Sequence, residues 1–122
     1  MAWSFNAGTA VYIQIAQKIR RLVISGEYPA GAQIPTVRQL AIDVAVNPNT
    51  VQRAFSLLES EGLIESRGTL GRFVTSDPDK ISRARDGEAK SLALEFLLEA
   101  EELGVSSEEL IKLIKEAENE RS

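Results

Sequence analysis

Apolar residues recur at steps of three and four along residues 10–26, where Tyr12, Ile15, Ala16, Ile19, Leu22 and Val23 form one stripe. The spacing predicts an amphipathic helix that ends at Gly26, with Gln14, Gln17, Lys18, Arg20 and Arg21 mostly off the stripe. Ahead of it, Trp3 and Phe5 read as an extended arm packing on the domain or on a partner chain. Residues 27–32 make a turn around Pro29 and Gly31, and Ile34 is held extended by Pro35. Thr36 then caps a short helix over about 37–45, with Gln39 completing a capping box. That helix buries Val37, Leu40, Ala41 and Val44 and turns Arg38 the other way.

Val46 closes a tight connection, and Asn47-Pro48 starts the next helix: Asn caps, and Pro fits the first helical position, where no N–H bond is lost. Val51, Ala54, Phe55 and Leu58 form its buried stripe, and Gly62 ends it. The remaining face carries Pro48, Asn49, Gln52, Arg53 and Ser56. Residues 63–66 and 72–75 read as two strands joined by Arg67-Gly68-Thr69-Leu70-Gly71, a wing whose glycines permit positive φ. Asp77-Pro78-Asp79 marks a boundary. A long helix over about 80–103 follows, bent or delayed near Asp86-Gly87, with Ala89, Leu92, Ala93, Phe96, Leu97, Ala100 and Leu103 at helical spacing. After Gly104, Ser106 and Glu109 suggest a second capping box opening a helix over about 107–119, which buries Leu110, Ile111, Leu113, Ile114 and Ala117.

These elements define a mainly α chain with a small β-wing. A winged helix-turn-helix domain over 1–76 precedes a two-helix hairpin over 77–122. Two helices of that size make no domain, so their apolar faces need covering by the first part or by a second copy. Homodimerisation is the economical solution, with Leu92, Phe96, Leu97, Leu103, Leu110, Leu113 and Ile114 as its interface.

Composition narrows the function. With no Cys and no His among the 122 residues, a disulfide frame, a thiolate metal site and the commonest general base are missing. No catalytic constellation, metal site or cofactor is expected. The acidic residues Glu99, Glu101, Glu102, Glu108 and Glu109 read as a solvated face. No apolar run reaches the roughly 20 residues that span a bilayer, and the first residues lack a signal-peptide pattern, so a cytoplasmic location is expected. The net charge of −4 is unevenly spread: residues 1–76 hold seven Lys/Arg against five Asp/Glu, and residues 77–122 seven against thirteen. The first part is therefore net +2 and the second −6. A basic face on an acidic chain still attracts phosphate within a Debye length of ~8–10 Å.

A polar helix following another across a tight turn suits the major groove of double-stranded DNA, where Asn and Gln can pair with adenine and Arg with guanine or phosphate. The candidate contacts are Thr36, Arg38, Asn47, Asn49, Thr50, Gln52, Arg53, Arg67, Gly68 and Arg72. The recognition helix covers about 48–61, and the wing, about 66–72, lies at the backbone or minor groove. The amides at the helix starts of Thr36 and Asn47 are expected to meet phosphates. The alternative is a winged-helix module that binds protein without DNA.

The runs P-A-G-A-Q-I-P-T-V-R-Q-L-A, N-T-V-Q-R-A-F-S-L-L-E-S-E-G-L-I-E and G-R-F-V resemble the DNA-binding domain of GntR-family bacterial transcription regulators over about residues 10–75. The run V-N-P-N-T-V and the short two-helix C-terminus are similar to the YtrA-type subfamily. The resemblance implies a dimer on an inverted-repeat operator near its own gene, usually as a repressor; any small-molecule effector would act by changing the relative disposition of the two heads. It implies that Arg38 contacts base or phosphate, that Asn49, Thr50 and Gln52 open the recognition helix, and that Arg67 and Gly68 form the wing tip. The chain departs from the pattern in having amides at Asn49 and Gln52, where some members have Arg, and in Thr69 and Arg72 of the wing.

Overall fold

The computed structural model describes residues 3–122. Met1 and Ala2, the start of the stretch read above as a domain and as lacking a signal peptide, lie outside the described residues. The chain divides into two compact units, one ending at Arg85 and one running from Asp86 to Ser122. No described helix is long and apolar enough to cross a membrane.

In the first unit, α1 (Val11–Ile24), α2 (Val37–Val44) and α3 (Pro48–Ser60) surround one core, beside a hairpin of β1 (Ile64–Ser66) and β2 (Arg72–Val74). The stripes of α1 and α3 meet there: Ile15, Ala16, Ile19, Val51, Ala54, Phe55 and Leu58 are all at most 1% exposed. Burying each large apolar side chain is worth about 1.5–3 kcal/mol, so α3 is held by its inner face and not by intrinsic propensity. Leu40, Ala41 and Val44 of α2 join this core, Val37 is only partly buried, and Trp3 and Phe5 pack against it. Outside the core, Arg20 of α1 grips Glu61, just past α3, with both ends of its guanidinium, Nε to Oε1 at 2.9 Å and Nη2 to Oε2 at 2.7 Å.

The turn between α2 and α3 rests on Ala45, the only non-glycine residue with positive φ (57°) among those described. The Val46 amide donates to the Ala41 carbonyl at 3.0 Å, the six-to-one bond of a Schellman closure. The same bond follows α3, from Leu63 to Leu58, but there Gly62 occupies the left-handed position at φ 78°.

The hairpin pairs Ile64 with Val74, Glu65 with Phe73 and Ser66 with Arg72, antiparallel. Residues 31–34 run along the outer edge of β2 and extend it. The Val74 amide donates to Ala32 at 2.8 Å, Ile34 to Arg72 at 3.0 Å and Gly31 to Val74 at 3.1 Å. The wing loop contains a single 3-10 turn over Gly68–Leu70, with Gly68 and Gly71 at φ 58° and 105°.

Helix α4 (Pro78–Glu102) starts earlier than the apolar spacing indicates and runs through Asp86-Gly87 without a break. Its start is fixed by Asp77, whose Oδ1 accepts the Asp79 amide at 2.9 Å. In the second unit, α4 meets α5 (Ser107–Arg121) across Gly104, and Ser106 caps α5 by accepting the Glu109 amide at 3.2 Å. The expected burial along this hairpin is not found within one chain. Leu92, Phe96, Leu97, Leu103, Ile111, Leu113 and Ile114 are exposed, as is Ala117, and only Ala100 is buried. Within the second unit neither helix covers those faces of the other, which is the physical reason.

Candidate nucleic-acid interface

Helix α3 turns its polar side outward because its other side is consumed by the core. Asn49, Gln52, Arg53 and Ser56 are exposed and Thr50 is half-buried. The start of the helix is built as the sequence indicates: Asn47 Oδ1 accepts the Asn49 amide at 2.8 Å, with Pro48 next to it. The consequence differs from the expectation. Pro48 has no N–H, and the amides of Thr50 and Val51 already donate to the Asn47 carbonyl at 3.0 and 3.3 Å, so this turn has no spare amide for a phosphate. At α2, Thr36 and Gln39 form the reciprocal capping box, with bonds of 3.1 and 3.0 Å. Leu40 donates to the Thr36 carbonyl, and the amides of Val37 and Arg38 remain for an anion. The Arg38 side chain is exposed and has no ion pair among the described residues.

The other arginines are placed by neighbours that the sequence does not single out. The Arg53 guanidinium lies 4.0 Å from the centre of the Tyr12 ring, a cation–π stack between α3 and α1. Arg67 folds back along the wing, 4.4 Å from the Phe73 ring centre and 3.6 Å from Glu65 Oε2. Gly68 beside it is exposed, and a Cβ there would meet nothing within 4 Å. Arg72 points inward. Its Nε donates to Glu59 Oε1 at 2.6 Å, its Nη2 donates to Gln52 Oε1 at 3.4 Å, and its guanidinium carbon sits 5.2 Å from the centre of the Phe55 ring. Strand alternation contains this signal, since Arg72 shares a face with the buried Val74.

Gln33 is the other residue missed. Its Nε2 donates to the Leu70 carbonyl at 2.8 Å, and a Cβ on Gly71 would come within 2.8 Å of the same nitrogen. The wing tip is thereby fastened to the strand edge that precedes α2. Among the described residues, no group of three or more Asp/Glu converges to hold a metal.

Three helices with an exposed polar third helix, a tight turn before it and a fastened wing after it define a winged helix-turn-helix transcription regulator with a DNA-binding domain. The sequence profile of the bacterial regulatory proteins of the gntR family matches residues 11–74, and the chain belongs to that family. It is 32% identical over 111 residues to the HTH-type transcriptional regulator YhcF of Bacillus subtilis (strain 168), covering 91% of this chain and 92% of that protein. It is also 32% identical over 112 residues to the HTH-type transcriptional repressor YtrA of the same organism, covering 91% and 86%. A GntR family transcriptional regulator from Listeria monocytogenes has a similar structure, with a TM-score of 0.84 and 33% identity over 92% of this chain and 98% of that one.

Proposed function

We propose that this chain is a cytoplasmic repressor that binds an inverted-repeat operator as a homodimer, with α3 in the major groove. The observation that carries the reading is the division of α3. Its apolar side is fully buried, and Asn49, Gln52 and Arg53 stand exposed on the other, next to a wing tied to the helix through Arg72. Asn49 and Gln52 read bases, and Arg38 and Arg53, with the first-turn amides of α2, hold phosphates. Arg67 and Gly68 reach the backbone or minor groove from the wing. No chemistry on a substrate is part of this function.

The hairpin supplies the dimer. Phe96 (46% exposed), Ala100, Leu103, Leu110 and Leu113 line an open groove of about 160 Å³ that an identical hairpin fills with like residues. Leu92, Leu97 and Ile114 extend the same contact. Half-sites then lie about one helical turn apart, ~34–36 Å. Any small-molecule effector of such a dimer would act by shifting the population of its head arrangements.

The test is fluorescence anisotropy with a duplex from the gene's own upstream region and a scrambled duplex, each at two salt concentrations. Tighter binding to the native duplex, weakening with a log–log slope near −0.9 per phosphate neutralised, supports the reading. No binding to either at low salt refutes it and turns attention to a protein partner.

A further inference from the structure

We propose that Arg72 sets base specificity without touching a base, by fixing which end of the Gln52 amide faces DNA; this rests on the DNA-binding reading above. A free glutamine distinguishes adenine by a two-bond match, its N–H to N7 and its oxygen to the N6 amino group. Here the oxygen is held: Arg72 takes one of its two lone pairs and draws the carbonyl end of the amide toward the wing. Arginine carries donors only, so the Gln52 atom 3.4 Å from Arg72 Nη2 is Oε1, and the amide orientation follows from chemistry alone. Arg72 is itself held on two sides, by the 2.6 Å bond to Glu59 and by the Phe55 ring beneath it. At the other end, Gln52 Nε2 is 3.4 Å from Ser56 Oγ, which takes one of its two N–H groups.

With the carbonyl end held toward Arg72, the end the amide turns to the major groove is its amino group, with a single N–H donor left. It fits any base edge bearing an acceptor: N7 of either purine, O6 of guanine or O4 of thymine. It cannot separate adenine from guanine, and it meets only a donor on cytosine. The chain therefore reads this position as not-cytosine. Arg72 acts here as a positioning residue, a role distinct from the phosphate contact expected of a wing cation.

The experiment is selection from a randomised duplex pool by the full-length protein, its R72M and R72K variants and Q52A, with salt slopes measured on one selected duplex. Q52A identifies the position read, as the one whose preference it flattens. Wild type is expected to exclude cytosine there and to hold adenine and guanine within about threefold. R72M releases Oε1, and adenine is expected to rise over guanine by about tenfold or more. R72K keeps the charge but not the fork that reaches Gln52, so it is expected to shift the same way with an unchanged salt slope. It also serves if R72M fails to fold.

A wild-type preference for adenine of tenfold overturns the proposal. So does an R72K profile identical to wild type together with uniform weakening in R72M and a slope shallower by about 0.9, the signature of a phosphate contact. Enrichment of no sequence by wild type is a different failure: it removes the DNA reading, and the relay with it.

Discussion

Replacing Ala45 by glycine should stabilise the first unit and leave operator affinity unchanged. Ala45 sits at φ 57° in the closure that ends α2, a position that Gly62 fills in the equivalent closure after α3. Left-handed backbone costs an L-residue about 1–2 kcal/mol because Cβ crowds the carbonyl oxygen. Glycine removes that cost but loses about 0.5–1 kcal/mol more chain entropy on folding. The Ala45 side chain is exposed, so deleting its methyl group gives up little burial. The balance is a gain of about 0–1.5 kcal/mol, centred at about 0.7 kcal/mol. At an m-value of about 1.5 kcal/mol/M, the urea midpoint rises by up to about 1 M, with about 0.5 M the central value. Trp3, the single tryptophan, packs on the core of this unit, and its fluorescence follows that unit's unfolding apart from the hairpin. Ala45→Val is the opposing control and should lower the midpoint, because a branched side chain is worse placed there. A lower midpoint for Ala45→Gly would refute the strain argument.

Arg38→Ala should weaken operator binding and make the salt slope shallower by about 0.9 with no change in the urea midpoint; unchanged affinity removes Arg38 from the interface. Phe96→Asp should convert the dimer to monomer by light scattering, since it puts a charge into an apolar groove; a dimer that persists places the contact elsewhere. Tyr28 has its hydroxyl pKa raised by burial first, then by the nearby charges of Glu27 and Asp43. The folded state therefore holds this proton more tightly than the unfolded state. The stabilisation is complete below the ordinary tyrosine value near 10 and is lost as pH rises from there through the folded value. Tyr28→Phe should remove that part of the alkaline loss in a midpoint-against-pH series, and an equal loss in the variant would place its cause elsewhere.

Local signals made the three-helix part legible in the sequence. The Thr36–Gln39 box, the Asn47-Pro48 start and the four-residue stripe of α3 each concern residues within one or two turns. The start of α4 was less legible because an exposed first turn has no apolar register, and Gly87 costs a long helix only about 1 kcal/mol. The candidate interface residues are legible as types and not as geometry. The sequence offers Arg53 and Arg72 as DNA contacts, and nothing local reveals that Tyr12 lies under one and Glu59 beside the other. The Gln33–Leu70 bond spans 37 positions and has no pattern at all. In each case the partner is supplied by packing between elements.

The fastenings around α3 also decide which molecule adapts on binding. The helix is capped at Asn47, stacked through Arg53 on Tyr12, tied by Glu59 and Gln52 to Arg72, and anchored past its end where Glu61 meets Arg20. A helix held at so many points presents a preset shape and loses little freedom in docking. If α3 docks in the groove as proposed, any misfit must be absorbed by the duplex, by bending or by a change in groove width. The operator is thus also selected for the compliance of its base steps, including steps that no side chain reaches, because the energy of deforming them differs with sequence.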